Sequence, residues 1–187
     1  MTKGFYKWIY EKVLGWEAIG DFSENKVKKC VVIAVPHTSW HDFYMGVLLR
    51  NALGVKIGFI GKKELFKFPM GIFFRAMGGA PIDRTPGQDK VKSIAAVFED
   101  KEEFRLTLAP EGTRKKVDQL KTGFYFIAKE AGVPIIMVAF DFGKKQHRIS
   151  EPFHPSGNLE EDMEMIDRFF AGAVGKVPEY SYTPFDS

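Results

Sequence analysis

The chain predicts an α/β fold: a single domain over residues 1–187, with a mixed, largely parallel sheet flanked by helices and a short amphipathic helix at the N-terminus. Three observations predict it. Short apolar runs rich in β-branched residues alternate with segments of helical spacing, the pattern of strands covered on both faces by crossover helices. A length of 187 residues is within the usual size of one domain and supports a substantial core. No internal repeat, low-complexity tract or linker-like stretch divides it.

The elements follow in order. Residues 5–16 predict the amphipathic helix, with Phe5, Trp8, Ile9, Val13 and Trp16 on one broad face and Lys7, Glu11 and Lys12 mostly elsewhere. Aromatic residues mixed with Lys suit residues 1–20 to a membrane interface, and a helix docked on the domain's own core explains them equally well. Residues 30–35 form a compact β-branched run, read as a buried strand that Pro36 ends. A helix is expected over about 39–52 and a strand over 56–60. Helical pieces follow over 62–77, interrupted at Pro69 and Gly71. Short strands at 80–82, 104–109, 134–140 and 147–150 then alternate with helices at 89–98, 123–130 and 160–170.

Composition excludes some classes. Hydrophobic residues at 45% and charged residues at 27% are ordinary for a globular protein, while 18 Phe call for either a well-filled core or an apolar ligand channel. The net charge of +3 is uneven, with a basic excess in the first half, which suits anionic partners such as phospholipid headgroups or nucleic acid. Cys30 is the only cysteine, so no intrachain disulfide forms, which fits a reducing compartment. No charge-free apolar run reaches the roughly 18–20 residues that cross a bilayer. Lys7, Glu11 and Lys12 interrupt any signal-peptide pattern. A cytoplasmic protein, soluble or peripheral to the membrane, is expected.

Two segments carry chemistry. In His37-Thr-Ser-Trp-His-Asp42, His37 follows a buried strand and a proline, at the strand edge where open α/β sheets bind ligands. Asp42 can hold one imidazole nitrogen and leave the other to take a substrate proton, a task that suits an unperturbed pKa of about 6.5. Ser39-Trp-His-Asp42 also matches a helix capping box, and His41 is a second candidate base. In Pro110-Glu-Gly-Thr-Arg114, Gly112 permits an unusual backbone angle, Thr113 and exposed N–H groups can donate to an anion, and Arg114 can bind phosphate through two parallel hydrogen bonds. Lys115, Lys116 and Lys121 extend the positive field. A basic surface turn with Glu111 paired to Arg114 is the plainer explanation. Arg84 can meet the same phosphate or pair with Asp83. Residues 62–69 interleave cations and aromatics, as a lipid headgroup zone does.

With these segments in order, residues 31–140 resemble the PlsC-like glycerophospholipid acyltransferases, whose type member is lysophosphatidic acid acyltransferase. His37-Thr-Ser-Trp-His-Asp42 matches the family's H-x-x-x-x-D motif, and Pro110-Glu-Gly-Thr-Arg114 its phosphate-binding motif. Gly79-Ala-Pro-Ile-Asp-Arg84 resembles its second motif and Val133-Pro-Ile-Ile136 its fourth. Ala109 stands where the family usually has Phe, and the N-terminal anchor is reduced. The resemblance implies His37 as general base and Asp42 as its orienting partner. It also implies phosphate binding by Arg84, Glu111, Gly112, Thr113 and Arg114, and Val133, Pro134 and Ile135 near the acyl chain. The expected reaction transfers a fatty acyl group from acyl-CoA or acyl carrier protein to a lysophospholipid hydroxyl at a peripheral membrane surface. The first-choice acceptor is 1-acyl-glycerol-3-phosphate, giving phosphatidic acid. No metal, further cofactor, acyl-enzyme or nucleic acid is required. A lyso-ornithine lipid is the alternative acceptor. A non-catalytic membrane-surface module and a metal-dependent phosphohydrolase using His37, His41, Asp42 and a later Asp are the rival functions.

Overall fold

The run at residues 30–35 becomes the middle of the molecule. In the computed structural model, which describes residues 2–20, 22, 27–82 and 90–185, helix α1 (Lys3–Trp8) continues into a π-helical turn (Ile9–Val13) and strand β1 (Glu17–Ile19). Next come β2 (Lys29–Val35), α2 (His41–Leu53), β3 (Gly58–Lys62), α3 (Met70–Ala76), β4 (Gly79–Ile82) and α4 (Lys90–Glu99). Then follow β5 (Phe104–Leu108), α5 (Gly123–Glu130), β6 (Ile135–Asp141), β7 (Gln146–Ile149), α6 (Leu159–Phe170) and a 3-10 turn (Pro178–Tyr180). The seven-stranded sheet has the order β1-β7-β6-β2-β5-β3-β4. Every pair is parallel except β6 with β7. The mixed, largely parallel sheet that the sequence predicts is therefore present.

Strand β2 is buried on both faces, so its side chains divide with the period of two that a pleated strand imposes. Val31, Ile33 and Val35 pack with Phe98 of α4, Phe124 and Ile127 of α5, and Ile166 and Phe170 of α6. Cys30 and Val32 pack on the opposite face with Met45, Leu49 and Ala52 of α2 and Tyr10 of the N-terminal turn. Each such aliphatic or aromatic side chain contributes about 1.5–3 kcal/mol on burial. Burial also pushes the Cys30 thiol up to about 12, which leaves it inert at neutral pH. Helix α2 closes at Gly54, whose φ of +73° lets the N–H of Val55 reach Arg50 O at 2.9 Å.

Three local expectations change. Trp16 does not share a helix face with Phe5 and Trp8, because the helix ends before it. Its ring is buried 4.7 Å from His147 and 4.9 Å from Phe142. Strand β1 is not among the elements expected from sequence, since three half-exposed residues carry no apolar run and owe their conformation to pairing with β7. The strand expected at 56–60 lies at Gly58–Lys62 instead, its register fixed by pairing with β4 and β5.

Candidate active site

Adjacent parallel strands end on the same edge, so the β2–β5 pairing brings together two loops about seventy residues apart in sequence. The backbone N–H of His37, just past β2, donates to Oε2 of Glu111, just past β5, at 2.6 Å. His37 Nδ1 lies 3.0 Å from Asp42 Oδ2. The same oxygen accepts from the N–H of Thr38 and of Ser39, each at 2.8 Å. Asp42 thus accepts from the Ser39 N–H just before α2, one half of the capping-box pattern, and is also the partner of His37. The two readings of its spacing describe one arrangement. With Nδ1–H donating to the buried carboxylate, neutral His37 presents Nε2 as a bare acceptor. Its side chain is 26% exposed, against 4% for Asp42.

His41 has another setting. Its Nδ1 is 2.9 Å from Ser39 Oγ, and its ring lies 4.2 Å from Trp40 and 5.3 Å from Tyr44. Among the described residues, no group of three or more His, Cys, Asp or Glu side chains is placed to hold a metal ion.

Glu111 is turned inward. It is 1% exposed, its second oxygen has no partner among the described residues, and burial pushes its carboxyl up to about 7, against the opposing pull of the His37 N–H. Its carboxylate therefore neither pairs with Arg114 nor faces an anion at the surface. Gly112 follows with a φ of +67°, and a Cβ there would stand 2.5 Å from Lys121 Nζ, so the turn brings that amine against the backbone. Thr113, Arg114, Lys115, Lys116 and Lys121 are exposed on this loop, and Thr113 Oγ1 accepts from Lys115 N–H at 3.3 Å. The result is an exposed cationic loop just past Glu111, the residue that accepts from the His37 N–H. Arg84 and Asp83 lie outside the described residues.

A cavity of about 380 Å³ opens beside the pair. His37 and Asp42 line it together with Ala34 of β2, Gly46 of α2, and Val138 and Phe140 of β6. Ala109 also lines it, so the small residue found where the family has Phe leaves space in the wall. Arg50 closes part of the boundary by donating to Ile57 O at 2.6 Å and Met77 O at 2.7 Å.

The structure does not bring Val133, Pro134 and Ile135 to this cavity. Ile135 pairs with Val31 while Ala139 pairs with Val35, so residues 133–135 lie roughly 13 Å below the edge that carries His37. Val133 and Ile135 pack in the core on the α5 side. The residues of β6 that face the cavity are Val138 and Phe140. Phe43 lines the cavity as well, and Phe74 approaches it through Phe59, at 6.3 Å between the Phe59 and Phe74 ring centroids. Thr38, Gly46 and Arg50 also belong to the site, and sequence reasoning misses them because nothing local distinguishes them from ordinary helix and loop residues.

The model of a family described as Acyltransferase matches residues 20–141, which include both loops and the cavity-lining strands. No curated protein matches the chain. Among solved structures, the chain is similar to the 1-acyl-sn-glycerophosphate (LPA) acyltransferase PlsC from Thermotoga maritima, with a TM-score of 0.60 and 21% identity over 90% of this chain and 76% of that one. The shared fold and the order of motifs along the chain agree with the family match, and the chain belongs to the Acyltransferase family.

Proposed function

We propose that the protein transfers a fatty acyl group from acyl-CoA or acyl carrier protein to the hydroxyl of a lysophospholipid, with 1-acyl-glycerol-3-phosphate as the acceptor and phosphatidic acid as the product. The observation that carries this reading is the His37–Asp42 pair at 3.0 Å, set at an apolar cavity, with a cationic loop following the Glu111 that holds the His37 N–H. His37 Nε2 takes the proton of the acceptor hydroxyl as its oxygen attacks the thioester carbonyl. The tetrahedral adduct collapses, the C–S bond breaks, and the imidazolium returns its proton to the leaving thiolate. Asp42 holds the ring and balances its transient charge. Arg114 and the Thr113 hydroxyl, on the turn that Gly112 opens, position the acceptor phosphate, with Arg84 as a further ligand. Glu111 contributes through the His37 backbone. The Thermotoga maritima neighbour is a 1-acyl-sn-glycerophosphate acyltransferase, and that likeness supports the choice of acceptor.

The test is thiol release from oleoyl-CoA and palmitoyl-CoA against a panel of lysolipids, repeated with acyl carrier protein thioesters. Release that depends on 1-acyl-glycerol-3-phosphate supports the proposal. Release with lyso-ornithine lipid keeps the reaction and replaces the acceptor. No acceptor-dependent release from either donor overturns it.

The cavity is assigned to an acyl chain, and Gly46 gives it a handle. A Cβ at Gly46 would meet the Phe140 ring at 3.5 Å, an ordinary contact, and leucine is a better helix former than glycine. Gly46→Leu therefore fills the cavity without harming α2. Excluding four methylene groups costs about 3 kcal/mol, roughly 10²-fold. The expected result is a loss of about that size in kcat/KM for oleoyl-CoA with octanoyl-CoA little changed. An equal effect on both chains would remove the cavity from the acyl site.

The lipid substrate must come from a membrane, and no helix among the described residues is long and apolar enough to cross one. Peripheral attachment to a membrane is supported by the surface around α3. Phe68 is 84% exposed and Met70, Ile72 and Phe73 are each more than half exposed, with Lys67 and Arg75 beside them. From this patch, ring contacts run from Phe73 through Phe74 and Phe59 to Phe43 at the cavity. Phe5, Trp8 and Val13 of the N-terminal segment are exposed as well. Phe68→Ser with Ile72→Ser should reduce cosedimentation with phosphatidylglycerol vesicles by at least ~10-fold, since each inserted side chain contributes more than 1 kcal/mol. Unchanged binding would move the membrane contact elsewhere.

A further inference from the structure

We propose that residues 174–182, beyond the part of the chain matched by the family model, form a strap that positions the catalytic loop, and that Thr38 is the positioning residue through which the strap acts. The proposal rests on the acyl-transfer reading and adds to it a part of the chain that none of the four motifs touches.

Thr38 follows His37 and supplies one of the two N–H groups that Asp42 holds. It is 4% exposed, and its Oγ1 accepts from the backbone N–H of Val177 at 3.1 Å, across 139 residues of sequence. The strap reaches this close because residue 175 is glycine. A Cβ at Gly175 would stand 2.5 Å from Thr38 Cγ2 and 2.7 Å from Thr38 Oγ1, closer than carbon atoms approach without displacement.

The strap is itself held at several points. Val174 O accepts from Phe142 N–H at 2.7 Å, which ties it to the end of β6. The N–H of Gly175 donates to Ser181 Oγ at 2.9 Å, and that of Ser181 to Pro178 O at 3.0 Å, so the segment closes on itself. Tyr182 is buried in the core, and its hydroxyl donates to Asp167 Oδ1 of α6 at 2.8 Å. A segment fastened to β6 and α6 thus presents one backbone N–H to the residue that follows His37. The loop is fixed from three directions: by Glu111 through the His37 N–H, by Asp42 through the Thr38 and Ser39 N–H groups, and by the strap through the Thr38 side chain.

Removing the last of these leaves a hydrogen-bond donor of the strap without its partner and lets the loop shift. Displacement of a catalytic group by about 1 Å can cost ~10²-fold in rate while the substrate sites stay as they were. Thr38→Val keeps the volume and removes the acceptor. Thr38→Ser restores the acceptor. Ser181→Ala loosens the strap without touching the loop. Ser156→Ala removes side-chain hydrogen bonds at an exposed position, one donated to Asp162 at the start of α6 and one accepted from the Asn158 N–H, and serves as the control for a purely structural loss.

The experiment measures kcat and KM for acceptor-dependent thiol release well below the melting temperature, together with the melting temperature and the ¹⁵N and ¹H resonances of the His37 ring. For Thr38→Val the expected result is a fall in kcat of about 10–10²-fold at near-constant KM, with displaced His37 ring resonances. Thr38→Ser should restore both, and Ser181→Ala should shift both in the same direction by less. Ser156→Ala should lower the melting temperature and leave kcat and the resonances in place. Wild-type kcat and unmoved His37 resonances in Thr38→Val would overturn the strap, as would a Thr38→Ser variant no better than Thr38→Val. If no donor and acceptor support transfer by the wild type, the acyl-transfer reading fails. The His37 resonances still decide whether the strap sets the ring.

Discussion

His37→Ala lowers turnover by roughly 10²–10⁴-fold with the fold intact, the usual contribution of a positioned general base. The size follows from what the side chain does, and the intact fold from what it does not do. Its Nδ1 is held by a buried carboxylate and its other nitrogen is left for the acceptor hydroxyl, so no neighbour takes over the proton transfer. His41 does not substitute, since its ring is packed on Trp40 and bonded to Ser39. The structural consequence is small because the His37 side chain is partly exposed and Asp42 keeps its two backbone donors from Thr38 and Ser39. His41→Ala should therefore change turnover far less than His37→Ala. Turnover at the wild-type level in His37→Ala, or the reverse ranking of the two variants, would remove His37 from the role.

Asp42→Ala separates from this behaviour. It removes the acceptor of two backbone N–H groups, and each buried donor left unsatisfied costs about 1–3 kcal/mol. Loss of stability is expected to accompany its loss of activity, whereas the His37 variant loses activity alone.

The part of the site legible in the sequence was the part written in local chemistry. A β-branched run ended by proline identified β2 and put His37 at its edge, and five-residue spacing made the Asp42 contact possible. The direction of Glu111 was not legible. A carboxylate beside glycine, threonine and arginine reads as part of an exposed loop, and only the β2–β5 pairing shows that the His37 N–H waits on its inner side. The offset of Val133, Pro134 and Ile135 from the cavity is of the same kind. It follows from β6 register, with Val31 opposite Ile135, which hydropathy along one strand does not encode. The Thr38–Val177 contact depends on packing across 139 residues, and neither residue type announces it. Trp16 illustrates the converse, in which helical spacing continued past the point where the helix stopped.

Glu111→Gln should stabilise the protein at alkaline pH and not at acidic pH. In the native protein burial raises the Glu111 carboxyl from its ordinary 4.5 to about 7, because ionising it inside the molecule forfeits hydration that one N–H donor does not replace. Between these values the native state holds a proton that the unfolded chain has released. Proton release then favours unfolding as pH rises, so the contribution is fully present below about 4.5, declines through the interval and is lost above about 7. At about 1.4 kcal/mol for each unit, the difference reaches on the order of 3 kcal/mol. Glutamine has no proton to lose and still offers an oxygen to the His37 N–H, so the variant lacks this decline. Urea midpoints at pH 5 and pH 8.5 should show wild type and variant drawing apart at the higher pH, with the variant more stable. Turnover should move the opposite way, since the variant has no negative charge behind the loop to offset the imidazolium formed during transfer. A variant that is less stable than wild type by the same amount at both pH values would mean that Glu111 stays ionised throughout. The pH-dependent strain assigned to its burial would then be absent.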